Sequence, residues 1–129
     1  MFDDFDLIHS YTRAEALEDG TLIDVTETAK EAGIKFPVAV TTELYHRYIK
    51  PTKAERQHGQ DLEGRLWDVL FMFTHSARTT SANLRLYTVF FTKEQPDGTL
   101  EQEAQELKAV IGPGDTPEPV ITIMLPWED

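Results

Sequence analysis

One stretch limits what this chain can become more than any other. After Asp61 come Leu62, Leu66, Val69, Leu70 and Phe73, at the spacing of a single apolar stripe on a helix, with Trp67 beside that stripe. Asp61 is of the residue type that caps helix N-termini, because its short side chain can accept a backbone N–H that the first turn leaves unpaired. The spacing predicts a helix over about residues 61–77 as the core element. A helix of this kind must bury one face, so the rest of the chain has to supply a matching apolar surface.

That surface is expected from strands on both sides. "NLRLYTVFFTK" is rich in β-branched and aromatic residues, and "EQPDGT" after it is a cluster of turn formers. A second strand falls within "EAQELKAVI", "GPGDTPEP" reads as a loop, and "VITIMLP" is a third strand. Short connections between them predict an antiparallel meander with one face against the helix. Upstream, Ile34, Phe36, Val38 and Val40 alternate as in a half-buried strand, and Pro37 places that strand at an edge or near its own start, since proline cannot donate to a ladder. Thr41 or Thr42 then caps a helix striped by Leu44, Tyr45, Tyr48 and Ile49, which Pro51 closes. "PTKAERQHGQ" has no apolar period and reads as a loop.

The opening is densely punctuated. Thr12 and Glu15 match a capping box, in which hydroxyl and carboxylate each satisfy the other residue's backbone N–H, and Gly20 ends the helix they start. Asp24 and Glu27 repeat the pattern before a second helix that Gly33 stops, with "TLIDV" as an extended link. Helices of about two turns do not persist alone in water, so both must dock on the rest of the chain. The expected class is therefore α+β: two or three short N-terminal helices and one long amphipathic helix packed on a small, mainly antiparallel sheet with a C-terminal three-stranded meander. At 129 residues the chain reads as a single domain over 1–129.

Several chemistries drop out. There is no cysteine, which removes disulfides, thiolate catalysis and cysteine-held metals. His9, His46, His58 and His75 show no metal-ligand spacing; His58 and Asp61 are three apart, but two ligands do not make a zinc site. Ser10 and Ser76 each follow a histidine without a nucleophile motif, and neither a phosphate loop nor a dinucleotide fingerprint is present. No metal, cofactor or catalytic residue is expected, and an enzyme is the less favoured reading. "MFDDFDLIHS" is acidic where a secretory signal would be basic, and the apolar runs are far shorter than the ~20 residues that span a bilayer. A cytoplasmic protein with no membrane partner is expected.

Charge is the remaining signal. The formal net charge of −11 is uneven: residues 1–33 carry −7, residues 34–93 carry +4 and residues 94–129 carry −8. Acids on the short helices, Glu15, Glu18, Asp19, Glu27 and Glu31, are expected to face solvent, and Asp115 at the tip of "IGPGDTPEP" is counted with them as an acidic partner-binding face. That loop also reads as an ordinary strand connection. Trp127 is expected to pack and pin the chain's end. A competing reading makes residues 29–50 a helix-turn-helix whose recognition helix presents Thr42, His46, Arg47 and Lys50 to phosphates.

"IHSYTRAEALEDGTLIDVTETAKEAG", "FPVAVT", "EGRLWDVLFMF" and "LKAVIGPGDTPEPVITIMLPWED" together resemble a family of short bacterial proteins of unknown function borne on plasmids, phages and integrative elements. The resemblance spans nearly the whole chain and carries over no catalytic residue. It implies a mobile-element setting, with a role in element maintenance, transfer or evasion of host defence. The leading expectation is a non-enzymatic accessory protein that binds a host or element-encoded protein. In its sharper form it is an acidic DNA mimic inhibiting a defence or DNA-handling protein. The alternatives are a small DNA-binding regulator, for which nucleic acid is the partner, and an enzyme.

Overall fold

A computed structural model describes residues 11–76, 79–81 and 83–129; His9, Ser10 and the end expected for the core helix at position 77 lie outside the described residues. In chain order the elements are helix α1 (Arg13–Asp19), strand β1 (Leu22–Asp24), helix α2 (Thr26–Glu31), strand β2 (Val38–Thr41) and a short helix α3 (Thr42–Leu44) that runs into a π-helical turn (Tyr45–Ile49). Helices α4 (Lys53–Gln57) and α5 (Leu62–His75) follow, then strands β3 (Thr79–Ser81), β4 (Leu84–Glu94), β5 (Leu100–Pro113) and β6 (Pro119–Met124). The class is α+β, with one mixed sheet in the order β1-β2-β6-β5-β4-β3 among the described residues.

Strands β4, β5 and β6 form an antiparallel meander, but β6 is not its free end. It pairs in parallel with β2, Val38 beside Ile121 and Val40 beside Ile123. All four residues of β2 are therefore buried rather than alternating, as expected of a strand covered on both sides. Pro37 sits just before β2, and its carbonyl accepts from Ile121 N at 2.9 Å. The strand it opens is interior, which corrects the edge placement.

Side-chain alternation sorts the sheet into two faces. Val38, Val40, Leu107, Ala109, Ile121, Ile123, Val89 and Phe91 point toward α2 and α5 and make the core with Val25, Ala29, Leu66, Val69, Leu70 and Phe73. Complete burial of a side chain such as Leu70 or Ile123 contributes about 1.5–3 kcal/mol. Helix α5 starts on its expected cap, Gly64 N donating to Asp61 Oδ1 at 2.6 Å. The opposite face receives α1. Its Thr12–Glu15 capping box is present and Gly20 closes it in the left-handed conformation. Arg13 Nη1 donates to Thr122 Oγ1 at 2.6 Å and Nη2 to Ile121 O at 2.9 Å, which fastens the helix to β6.

Three local expectations are corrected. Asp24 and Glu27 do not form a capping box: the N-cap of α2 is Val25, without a side-chain bond, and Asp24 instead accepts from Thr26 N at 3.3 Å and Thr26 Oγ1 at 2.5 Å in a local turn. Residues 51–60 are not a loop. Thr52 and Glu55 form a capping box that starts α4, and Glu55, 1% exposed, meets Arg65 Nη2 at 3.1 Å. Residues 37–50 are not one recognition helix, because Val38–Thr41 is a strand and helix begins at Thr42, capped by Thr41 Oγ1.

The buried pair explains itself by what surrounds it. Arg65 Nη1 donates to Tyr48 O at 2.9 Å and Nη2 donates to Thr92 O, while Glu55 Oε2 accepts from Glu94 N at 2.7 Å. Lys93 Nζ donates to Arg47 O. Carbonyls at the end of the π-helical turn and outward-facing groups of β4 thus find side-chain partners where helix and sheet ladders leave off. A salt bridge closes the sheet edge there, in place of another strand.

Candidate interaction surface

Helix α5 is apolar on more than its buried stripe. Leu66, Val69, Leu70 and Phe73 face the core, yet Trp67 is 37% exposed, Phe71 39% and Met72 41%. The 100° step of a helix puts Trp67 and Phe71 on the flank beside α2, His75 outermost, and Met72 on the flank beside β4. Trp67 and Phe71 stack with ring centroids 5.8 Å apart and planes 16° apart, and Phe71 meets the His75 ring at 4.3 Å. His75 is held by contacts with Phe71 O and Thr74 Oγ1 at 3.1 Å. The result is a rigid aromatic ridge along the solvent side of the principal helix.

Carboxylates rim the N-terminal part of that ridge. A cleft of about 400 Å³ between α2 and α5 is lined by Thr28, Glu31, Asp61, Glu63, Gly64 and Trp67. Asp61 is occupied as the cap of α5, which leaves Glu31 and Glu63 as the other exposed acids lining the cleft with Trp67. Lys30, the cation on α2, is paired with Glu27 at 3.5 Å. Across the helix, Asp68 and Met72 border a recess with Thr88 and Phe90 of β4, where burial pushes the Asp68 carboxyl up.

The acids named from sequence do not form one face. Glu15 is spent on the α1 capping box. Asp19 accepts from the Tyr11 hydroxyl and from Thr21 N, and these bonds, Tyr11 first, hold its carboxyl below the usual range. Asp115 is exposed but its carboxylate is engaged: it accepts from Arg13 N at 2.8 Å and Ala14 N at 3.0 Å, capping α1 from a loop a hundred residues away. All six face solvent as expected, and of them Glu31 lines a cleft with Trp67 of the aromatic ridge. The sequence places Trp67 beside the stripe, and "WDVLFMF" holds more apolar residues than one helix face can bury, which is the trace of the exposed Phe71 and Met72.

The basic segment is dispersed. Thr42 is half-buried, while His46, Arg47 and Lys50 are exposed. Arg47 pairs with Glu43 at 3.3 Å and lies over the Trp127 ring at 5.3 Å. Trp127 is 59% exposed and does not pin the terminus. Glu128 does so, accepting from Thr41 Oγ1 at 2.7 Å and Leu125 N at 2.8 Å. A cleft of about 720 Å³ beside α1 includes Thr41, Thr122, Arg13 and Glu128, polar groups already committed to holding the fold together. Among the described residues no group of three or more histidines and carboxylates could hold a metal, and His58 contacts Ala54 O at 3.0 Å. No helix among them is long and apolar enough to cross a membrane.

Fold and surface define a small α+β protein whose mixed sheet carries α2 and α5 on one face and α1 on the other, the principal helix bearing exposed aromatics. The chain belongs to a family of unknown function, DUF6573, whose model matches residues 1–129. No curated protein and no solved structure matches it.

Proposed function

We propose that this is a non-enzymatic protein-binding module whose contact surface is the solvent side of α5. One observation carries the reading: Trp67 and Phe71 stack on each other on the exposed side of a helix whose opposite stripe is used in the core, and Met72 is exposed on the far flank of the same helix. Adjoining exposed aromatics mark interaction surfaces more often than scattered single ones. The carboxylates beside Trp67 and the net charge of −11 support the sharper form, in which acids stand in for phosphates and occupy a partner's basic groove. A mobile-element accessory role, as the sequence resemblance implies, fits a small protein that works by engaging another.

Capture of tagged protein from nuclease-treated lysate, compared between the native chain and Trp67→Ser/Phe71→Ser, tests the reading. A stoichiometric partner should be retained by the native chain and lost by the variant. Partners held equally by both would refute the assignment. Recovery of duplex DNA that depends on Arg47 and Lys50 would transfer it to the regulator reading.

A further inference from the structure

Resting on the assignment of α5 as the contact surface, we infer that its occupant is a cationic amphipathic helix of a partner protein, with a basic turn over Trp67 and an apolar turn over Phe71 and Met72. The ridge itself argues for a helix. The backbone N–H and C=O groups inside α5 are bonded within that helix, so a strand laid on it would leave its own backbone groups unpaired at the contact. A helix brings its backbone already satisfied, and its side-chain rows can seat against residues spaced four apart, as Trp67, Phe71 and His75 are.

Charge selects the partner. Glu31 and Glu63 line one cleft with Trp67, and the cation on α2, Lys30, is paired with Glu27 at 3.5 Å. An arginine or lysine entering that cleft would meet two carboxylates and an indole ring, a combination that favours guanidinium above all. A second copy of this chain would bring the same acids to the same place, and an anionic lipid surface would be repelled by them. The polarity also fixes direction along the ridge. Glu31 and Glu63 stand at the start of α5, with Asp68 further along on the β4 side, whereas Lys35 lies by Phe36 and Thr74 at its end.

The test uses the full chain and three labelled helical peptides of ~18 residues, about the length of α5 plus one turn. They share one Leu/Phe face and carry rims of Lys/Arg, Gln or Glu; binding is read by fluorescence anisotropy and helix content by circular dichroism. The cationic peptide should bind at least tenfold tighter than the Gln-rimmed one and become helical on binding. Glu31→Gln/Glu63→Gln should erase most of that preference without changing the protein's own melting curve, and Trp67→Ser/Phe71→Ser should abolish binding. Equal affinity for all three rims would overturn the cationic class and leave α5 as a contact surface. Cationic binding without induced helix would overturn the helical form, and binding that ignores both sets of substitutions would overturn the site. A failure of every peptide would overturn the inference, as would a homodimer in light scattering dispersed by Trp67→Ser/Phe71→Ser. Failure of the contact-surface reading is separate: it is the retention of lysate partners by that same variant.

Discussion

Glu55→Ala removes one half of the buried pair that ties α4, α5, the π-helical turn and β4 together. The carboxylate is 1% exposed and its partner 3%. It receives Arg65 at 3.1 Å, Thr52 N at 2.9 Å and Glu94 N at 2.7 Å. Without it, Arg65 keeps the carbonyls of Tyr48 and Thr92 and a long bond from Nε to Gln60 Oε1 at 3.5 Å, all uncharged acceptors, and loses its ion-pair partner. Two backbone N–H groups lose their acceptor at the same time. Breaking a buried pair from one side costs about 3–5 kcal/mol, a large part of the roughly 5–15 kcal/mol that holds a domain of this kind together.

At about 3–4 °C per kcal/mol for a chain of this size, the melting temperature should fall by roughly 10–20 °C. Urea unfolding of the native chain, Glu55→Ala, Arg65→Met and the double variant separates the pair from its parts. The double variant should be less destabilised than the sum of the singles by about 2 kcal/mol or more, since each single leaves a charge that the double does not. It should still fall short of the native chain, because Arg65 also serves Tyr48 O and Thr92 O. A loss below about 1 kcal/mol for Glu55→Ala, or simple additivity, would show that the pair behaves like a surface salt bridge and refute the reasoning.

The same carboxylate sets a pH dependence. Burial pushes the Glu55 carboxyl up, but the N–H groups of Glu94 and Thr52 and then the charges of Arg65 and Lys93 outweigh burial and leave it below its ordinary value. A depressed carboxylate contributes stability that is complete above the unfolded value of about 4.3 and is lost as pH falls through the lower folded value. Urea midpoints should therefore drop below about pH 4 more steeply in the native chain than in Glu55→Gln. Asp115→Ala should cost about 1 kcal/mol and speed hydrogen exchange at Arg13 and Ala14, with little change in β5 and β6. Gly33→Ala should cost about 1 kcal/mol or more in urea unfolding, because Gly33 holds φ +94° where its N–H reaches Lys30 O and Ile34 N reaches Ala29 O. Gly112→Ala, with open space around it and no such backbone angle, should stay within about 0.5 kcal/mol of the native chain.

How much of this was legible in the sequence depended on distance along the chain. The Thr12–Glu15 box and the Asp61 cap could be read because each partnership closes within three residues. Thr52 and Glu55 show the same pattern and were passed over, since the segment has no apolar period and its glutamate faces inward, against the rule that carboxylates face water. The parallel β2–β6 pairing joins residues more than eighty positions apart. Its trace is the unbroken "VAV" of β2, which a half-buried edge strand would have interrupted with a polar residue. Asp115 is the limiting case: nothing in "IGPGDTPEP" says that its carboxylate will cap a helix 102 residues earlier.

That last contact changes how the acidity of this chain should be used as a clue. Substituting acids wholesale, for example Glu15, Asp19, Glu27 and Glu31 together, mixes two effects. Glu15 and Asp19 hold the N-terminal helix and the turn after it in place, so their removal loosens α1 whether or not a partner reads their charge. Among the described residues Glu31 and Glu63 accept no side-chain or capping hydrogen bond, so neutralising them alters the field around Trp67 and, beyond that, only the modest support Glu63 gives the first turn of α5. Loss of binding in that pair, with melting unchanged, would be an electrostatic effect at the contact surface. The same loss in the larger set could be unfolding of α1. The structure thus divides the negative charge into a part that builds the fold and a smaller part free to be recognised, and only the second can serve as the probe of function.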